Sequence, residues 1–153
     1  MRILRSFYIH NRFFWYIAIL AACFVISYWM PSLYPIAWLL VYGLLALFFL
    51  DCYLLFSTGD AIRAQRELPQ KLSNSDENLL AVQLTSKYPF KTGIVVIDEL
   101  PLQFQKRDFA YRTFLNKNEN HTFDYSVRPV ERGEYVFGNL NVYASSPLQI
   151  VKR

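Results

Sequence analysis

Two pairs of adjacent carboxylates, Asp76-Glu77 and Asp98-Glu99, are the side chains best suited by type to acid–base chemistry, and His10 and His121 are the only imidazoles in the 153 residues. General acid–base catalysis needs two such groups converging on one reacting centre. Neighbours along a strand point to opposite faces, so neither carboxylate pair converges by itself, and solvated turn positions account for both. The histidines are placed apart, one in the N-terminal basic segment and the other at a strand edge beside Asn120, and no metal cage can be built from them. Cys23 and Cys52 have no histidine or second cysteine at ligand spacing and read as reduced, lipid-buried thiols. There is no Gly-rich phosphate loop, nucleophile elbow or Ser/His/Asp arrangement, and Gly133 and Gly138 read as a turn and a bulge. The expectation is a protein without catalysis, metal or cofactor.

Asp51 is the remaining candidate, because it is the single charge in the long apolar stretch from Phe13 to Phe56, where all but six of 44 residues are hydrophobic. An ionisable residue inside lipid is costly and counts as a functional candidate. It lies five residues from Phe56, about 8 Å at helical rise, so a carboxylate there can also reach headgroup water. Residues 13–30 and 36–56 are each long enough to span a bilayer, and the connector 31–35 holds two prolines that resist helix continuation. Trp15, Tyr16, Tyr28, Trp29, Tyr34 and Trp38 fall where interfacial aromatics anchor span ends. The reading is a transmembrane hairpin with the lipid bilayer as its first partner.

Charge orients it. Arg2, Arg5 and Arg12 lie in the basic N-terminus, residues 1–12, the connector is uncharged, and Arg63, Arg66 and Lys71 follow the second span. That bias places both termini on the cytoplasmic side of the membrane. It also accounts for the net charge of +4 without nucleic acid, since residues after Phe56 carry 13 basic against 11 acidic side chains. A rival reading takes Leu20-Ala21-Ala22-Cys23 as a lipoprotein cleavage box, although Phe24-Val25-Ile26 continues the apolar run beyond the cysteine.

After residue 60 the periodicity turns to alternation, the mark of half-buried strands. Leu80/Val82/Leu84, Phe123/Tyr125/Val127 and Tyr135/Phe137 share one parity, residues 93–97 suit a central strand, residues 109–115 offer another, and residues 62–68 open the sheet or extend the helix. The parity break before Leu140/Val142 predicts a bulge at Gly138. Residues 57–153 are therefore expected to form an all-β sandwich of six or seven short antiparallel strands, immunoglobulin- or fibronectin-like.

Arg66-Glu67-Leu68-Pro69, Asp76-Glu77-Asn78, Asp98-Glu99-Leu100-Pro101, Arg132-Gly133-Glu134-Tyr135-Val136-Phe137-Gly138 and Ser146-Pro147-Leu148, behind a two-helix hairpin, resemble the N-terminal part of the domain-of-unknown-function 58 (DUF 58) family. Its members are prokaryotic membrane proteins that place a β-sandwich after the hairpin and continue into a von Willebrand A-like domain, often beside MoxR-type AAA ATPases. The resemblance marks Asp98, Glu99, Pro101, Arg132, Gly133, Tyr135, Phe137, Gly138 and Pro147 as structural landmarks with no known catalytic role. Gln149 stands where the family pattern has Gly. The resemblance implies the front part of a longer protein, a noncatalytic scaffold presenting its sandwich to that downstream domain or to a MoxR-type ATPase. The alternative is an envelope-facing, lipidated sandwich that binds carbohydrate or another envelope component through exposed aromatics.

Overall fold

In a computed structural model, residues 7–59, 61–69, 71–104 and 109–153 are described; Arg2, Arg5 and residue 60 of the sequence reading lie outside them. The chain forms two compact units, one of Met1–Gly59 with Ser145–Arg153 and one of Asp60–Ala144. Eight strands run in two sheets: β1 (Tyr8–Ile9), β2 (Ile62–Glu67), β3 (Asn78–Ser86), β4 (Thr92–Asp98), β5 (Ala110–Leu115), β6 (Asn120–Val127), β7 (Leu140–Ser145) and β8 (Val151–Lys152).

The first unit is built on two helices, α1 (Asn11–Trp29) and α2 (Tyr34–Phe56). The His10 imidazole caps α1 by accepting the Arg12 amide at 3.2 Å, and Pro31, which has no amide hydrogen, stops it after Met30. A 3-10 turn, Pro31–Leu33, then feeds α2, where Pro35 sits in the first turn, a position that needs no donor. The helices pack antiparallel, with Phe13 5.4 Å from Phe48 and Phe24 5.8 Å from Trp38, ring centre to ring centre. Both are long and apolar enough to cross a membrane. Their outward faces are bare hydrocarbon and aromatic surface, with Trp15 72% and Tyr28 83% exposed. The same unit contains a strand pair unforeseen in the sequence, β1 against β8 in the register Tyr8↔Lys152 and Ile9↔Val151. Two-residue strands are too short for periodicity to reveal.

The second unit holds the three-stranded sheet β2-β3-β6 and, in the other sheet, β4 between β7 and β5. β3 pairs antiparallel with β6 from Asn78↔Val127 to Thr85↔Asn120 and with β2 from Ala81↔Glu67 to Ser86↔Ile62, and β4 pairs antiparallel with β5 from Thr92↔Leu115 to Ile97↔Ala110. The inward residues meet in one core: Leu80, Val82 and Leu84 of β3, Ile94 and Val96 of β4, Leu115, and Phe123, Tyr125 and Val127 of β6. The sandwich-like arrangement follows from that shared core, because each sheet has one apolar face to bury. The run at 93–97 is a central strand as expected, and Ile62–Glu67 opens a sheet rather than extending α2.

Two expectations fail here. Tyr135 and Phe137 are not in a strand; residues 128–139 are irregular, and the two rings instead lie 4.8 and 5.8 Å from Phe104, against a 3-10 turn at Leu102–Phe104. Alternation marks any extended segment that docks every second side chain, whether or not its backbone joins a ladder. Gly138 accordingly forms no bulge. Its amide donates to the Glu99 carbonyl at 2.9 Å, and an added Cβ would stand 2.7 Å from the Glu99 Cβ and 3.1 Å from that carbonyl oxygen. Close backbone approach, not positive φ, requires glycine at this position.

Gly138→Ala is therefore expected to lower stability by about 1–3 kcal/mol, the range for overpacking a filled site. Gly133→Ala, whose Cβ would meet nothing within 4 Å, should be nearly neutral. Thermal unfolding of the detergent-solubilised full chain checks the contrast, and equal effects would refute the close-approach account.

Candidate functional site

Each unit is organised around one buried carboxylate. In the helical unit it is Asp51, fully buried in α2. Its Oδ1 accepts the Ser146 hydroxyl, and its Oδ2 accepts the amides of Ile150 at 3.0 Å and Val151 at 2.8 Å. Ser146 Oγ in turn accepts the Leu148 amide at 3.0 Å, so hydroxyl and carboxylate together organise the turn leading into β8. Gln149 closes that turn with φ 53°, in the left-handed region where a glycine would be strain-free. Two further ties fix the segment. The His10 amide donates to the Ile150 carbonyl at 2.9 Å, and Arg153 Nη1 donates to the carbonyls of Leu55 and Thr58 at 2.9 and 2.6 Å. A guanidinium there both satisfies carbonyls left open at the end of α2 and complements the negative end of its dipole.

Asp51 is therefore an anchor whose oxygens are already occupied by donors of the same unit. Among the described residues no group of three histidines, cysteines or acids could hold a metal. The two cysteines are free and half-buried, and α1 runs unbroken through Cys23.

In the sheet unit the buried carboxylate is Asp98, 2% exposed at the end of β4. This corrects the reading of Asp98 as a solvated turn residue. It accepts both Nε, at 2.9 Å, and Nη2 of Arg66 on β2, and the hydroxyl of Tyr125 on β6. A strand of one sheet is thereby bonded to two strands of the other. Burial, together with donation to Asp98, pushes the Tyr125 phenol above its ordinary range. Arg66 reaches on to the Gly138 carbonyl at 3.3 Å and lies over the Phe137 ring at 5.1 Å. Glu99 points the other way and is exposed; its carboxyl is held below the usual range by the Asn139 amide and then the Asn141 side chain.

The landmark residues thus divide. Asp98, Glu99, Phe137 and Gly138 meet at this node; Tyr135 docks nearby on Phe104, and Pro101 is buried and opens the 3-10 turn through its carbonyl. Arg132 and Gly133 are exposed, on an open cleft of about 470 Å³ that Lys71, Leu72 and Tyr135 also line. Pro147 belongs to the other unit, next to Ser146. His121 accepts from or donates to the Tyr111 hydroxyl at 2.9 Å inside the aromatic ladder of β5 and β6. Asp76 and Glu77 are exposed. Comparison of the chain with protein-family models, with curated proteins and with solved structures finds no match.

Sequence reasoning missed the partners more than the acids. Ser146 enters the sequence reading only within a resemblance motif, Tyr125 only as an inward strand residue, and Arg153 not at all; a lone acid in an apolar helix signals that internal donors exist, but not where.

Asp51→Asn keeps the volume but turns an amide N–H toward at least one of three donors, and is expected to destabilise by about 2–4 kcal/mol, with Asp51→Leu costing more. Unfolding in detergent measures this, with protease cleavage after residue 145 as a local readout. A second expectation concerns pH. Partial burial, then Lys152 and Arg12, depress the His10 pKa, against a smaller opposing pull from Asp51. The unfolded chain thus takes up the proton first, so stability is full above the unfolded value of about 6.5 and declines as pH falls through it. His10→Asn, a cap that does not titrate, should flatten that slope between pH 7.5 and 5.5; an unchanged slope would remove His10 as its source.

Proposed function

We propose that this chain is a noncatalytic, membrane-anchored β-domain protein of the prokaryotic inner membrane, with both termini cytoplasmic, that works by presenting its sheets to another domain or protein. The observation that carries the reading is the pair of apolar helices whose aromatic and aliphatic faces are left uncovered by the chain itself. Uncovered surface of that extent is stable in hydrocarbon and costs about 25 cal/mol per Å² in water. The fate of the candidate acids supports the noncatalytic part. Asp51 and Asp98 spend their oxygens on internal donors, a use that suits architecture better than proton transfer.

An immunoglobulin- or fibronectin-like sandwich is the favoured assignment for the sheet unit. Strand order β2-β3-β6 in one sheet, with β4 beside β7 in the other, matches the order of strands A, B, E and of C, F in that fold class. The DUF 58 resemblance then suggests a von Willebrand A-like domain downstream and a MoxR-type ATPase as the partner. The lipoprotein alternative has less support, because cleavage before Cys23 would cut α1 in its middle.

Carbonate extraction and paired C-terminal reporters test this. The chain should stay in the membrane pellet, with a fluorescent cytoplasmic reporter lit and alkaline phosphatase silent. Release by carbonate would overturn the anchor, and the opposite reporter pattern would overturn the orientation.

A further inference from the structure

The antiparallel helices leave a groove of about 330 Å³, lined by Tyr16, Leu20, Leu40, Gly43 and Leu47 together with Ile150. An added Cβ on Gly43 would meet nothing within 4 Å, so the chain's own side chains leave this space open. The volume falls in the range of small-ligand sites, and the walls are almost wholly aliphatic. Two cations flank the bond from the His10 amide to the Ile150 carbonyl, 2.9 Å long. Arg12 lies one helical turn before Tyr16 and therefore on the same face of α1, while Lys152 lies in β8, two residues beyond Ile150 and paired with Tyr8. Both also lower the affinity of His10 for a proton. Neither has an ion-pair partner among the described residues, where the one salt bridge is Arg66–Asp98. Asp51, the acid within α2, is occupied by Ser146, Ile150 and Val151.

We propose that the hairpin seats one anionic phospholipid, its acyl chain in this groove and its phosphate against Arg12 and Lys152. An apolar trough lined by Ile150, with two unpaired cations flanking the bond to that residue, suits an amphiphile with a negative head. A second copy of the chain would fill the trough but not answer the charge, because its helices carry no acid other than the occupied Asp51. The inference rests on the membrane reading above, and carbonate extraction of the same preparation separates the two: release from the pellet fells both, retention leaves the lipid seat to be judged alone.

The test is native mass spectrometry of the full chain in mild detergent, with phosphatidylglycerol or phosphatidylcholine of identical acyl chains. One phosphatidylglycerol per protomer should be retained in preference to phosphatidylcholine. In the double variant Arg12→Gln, Lys152→Gln, both changes at side chains outside the core, that preference should fall at least about tenfold, as expected for losing two cations near a lipid phosphate. Gly43→Leu, which fills the groove, should abolish retention of both lipids. Equal retention of the two lipids, or a preference that survives the double variant, overturns the proposal. A protein dimer that Gly43→Leu dissociates would give the groove to a second copy and overturn it as well.

Discussion

A carboxylate placed in an apolar helix has to be solvated from within the protein, and the architecture of the helical unit follows from how Asp51 meets that demand. Leaving a carboxylate in a low-dielectric setting without donors costs several kcal/mol even after relaxation. The hydroxyl of Ser146 and the successive amides of Ile150 and Val151 converge on it, an arrangement that a short turn leading into a strand offers. The strand β8 is therefore where it is because Asp51 needs its N–H groups. Once β8 is there, β1 can pair with it, His10 can bond Ile150 and cap α1, and Arg153 can close the end of α2.

The sheet unit solves a related problem differently. Asp98 is buried among core residues, and its partners include a full charge, Arg66, as well as the neutral Tyr125 hydroxyl. Removing one member of such a pair costs about 3–5 kcal/mol, whereas an apolar replacement of the whole set can be neutral, so specificity of alignment is the stronger reason for its presence. The bonds run from the end of β4 to β2 and β6, which fixes how the two sheets face each other at that end. Arg66 also takes the Gly138 carbonyl and covers Phe137, so the irregular segment 128–139 is fastened to the same ion pair.

Much of the fold was legible because long-period signals are local. Charge-free runs broken by Pro31 and Pro35 gave the helices to within two residues, and the parity of Leu80/Val82/Leu84 and Phe123/Tyr125/Val127 gave β3 and β6 with the correct inward face. What could not be read depends on contacts distant in sequence. Asp51 and Ser146 are 95 residues apart, and Arg66 and Asp98 are 32 apart. Nothing in a run of five residues distinguishes a docked extended loop, such as Tyr135 to Phe137, from a strand. The burial of Asp98 was equally hidden, because a charged residue at a strand end beside Glu99 and Pro101 has the composition of a turn.

The two buried carboxylates are arranged differently from a general base. A general base must keep an oxygen free for the proton it takes, and its neighbours must leave room for substrate. Asp51 and Asp98 are the two buried acids among the described residues, and both are oriented by donors bound to both oxygens. Glu99 is exposed but directs its oxygens to Asn139 and Asn141. The polar capacity of the interior is spent on joining segments that are far apart in the chain. These two buried charges fasten distant segments to one another, while the helices present an uncovered hydrocarbon and aromatic surface.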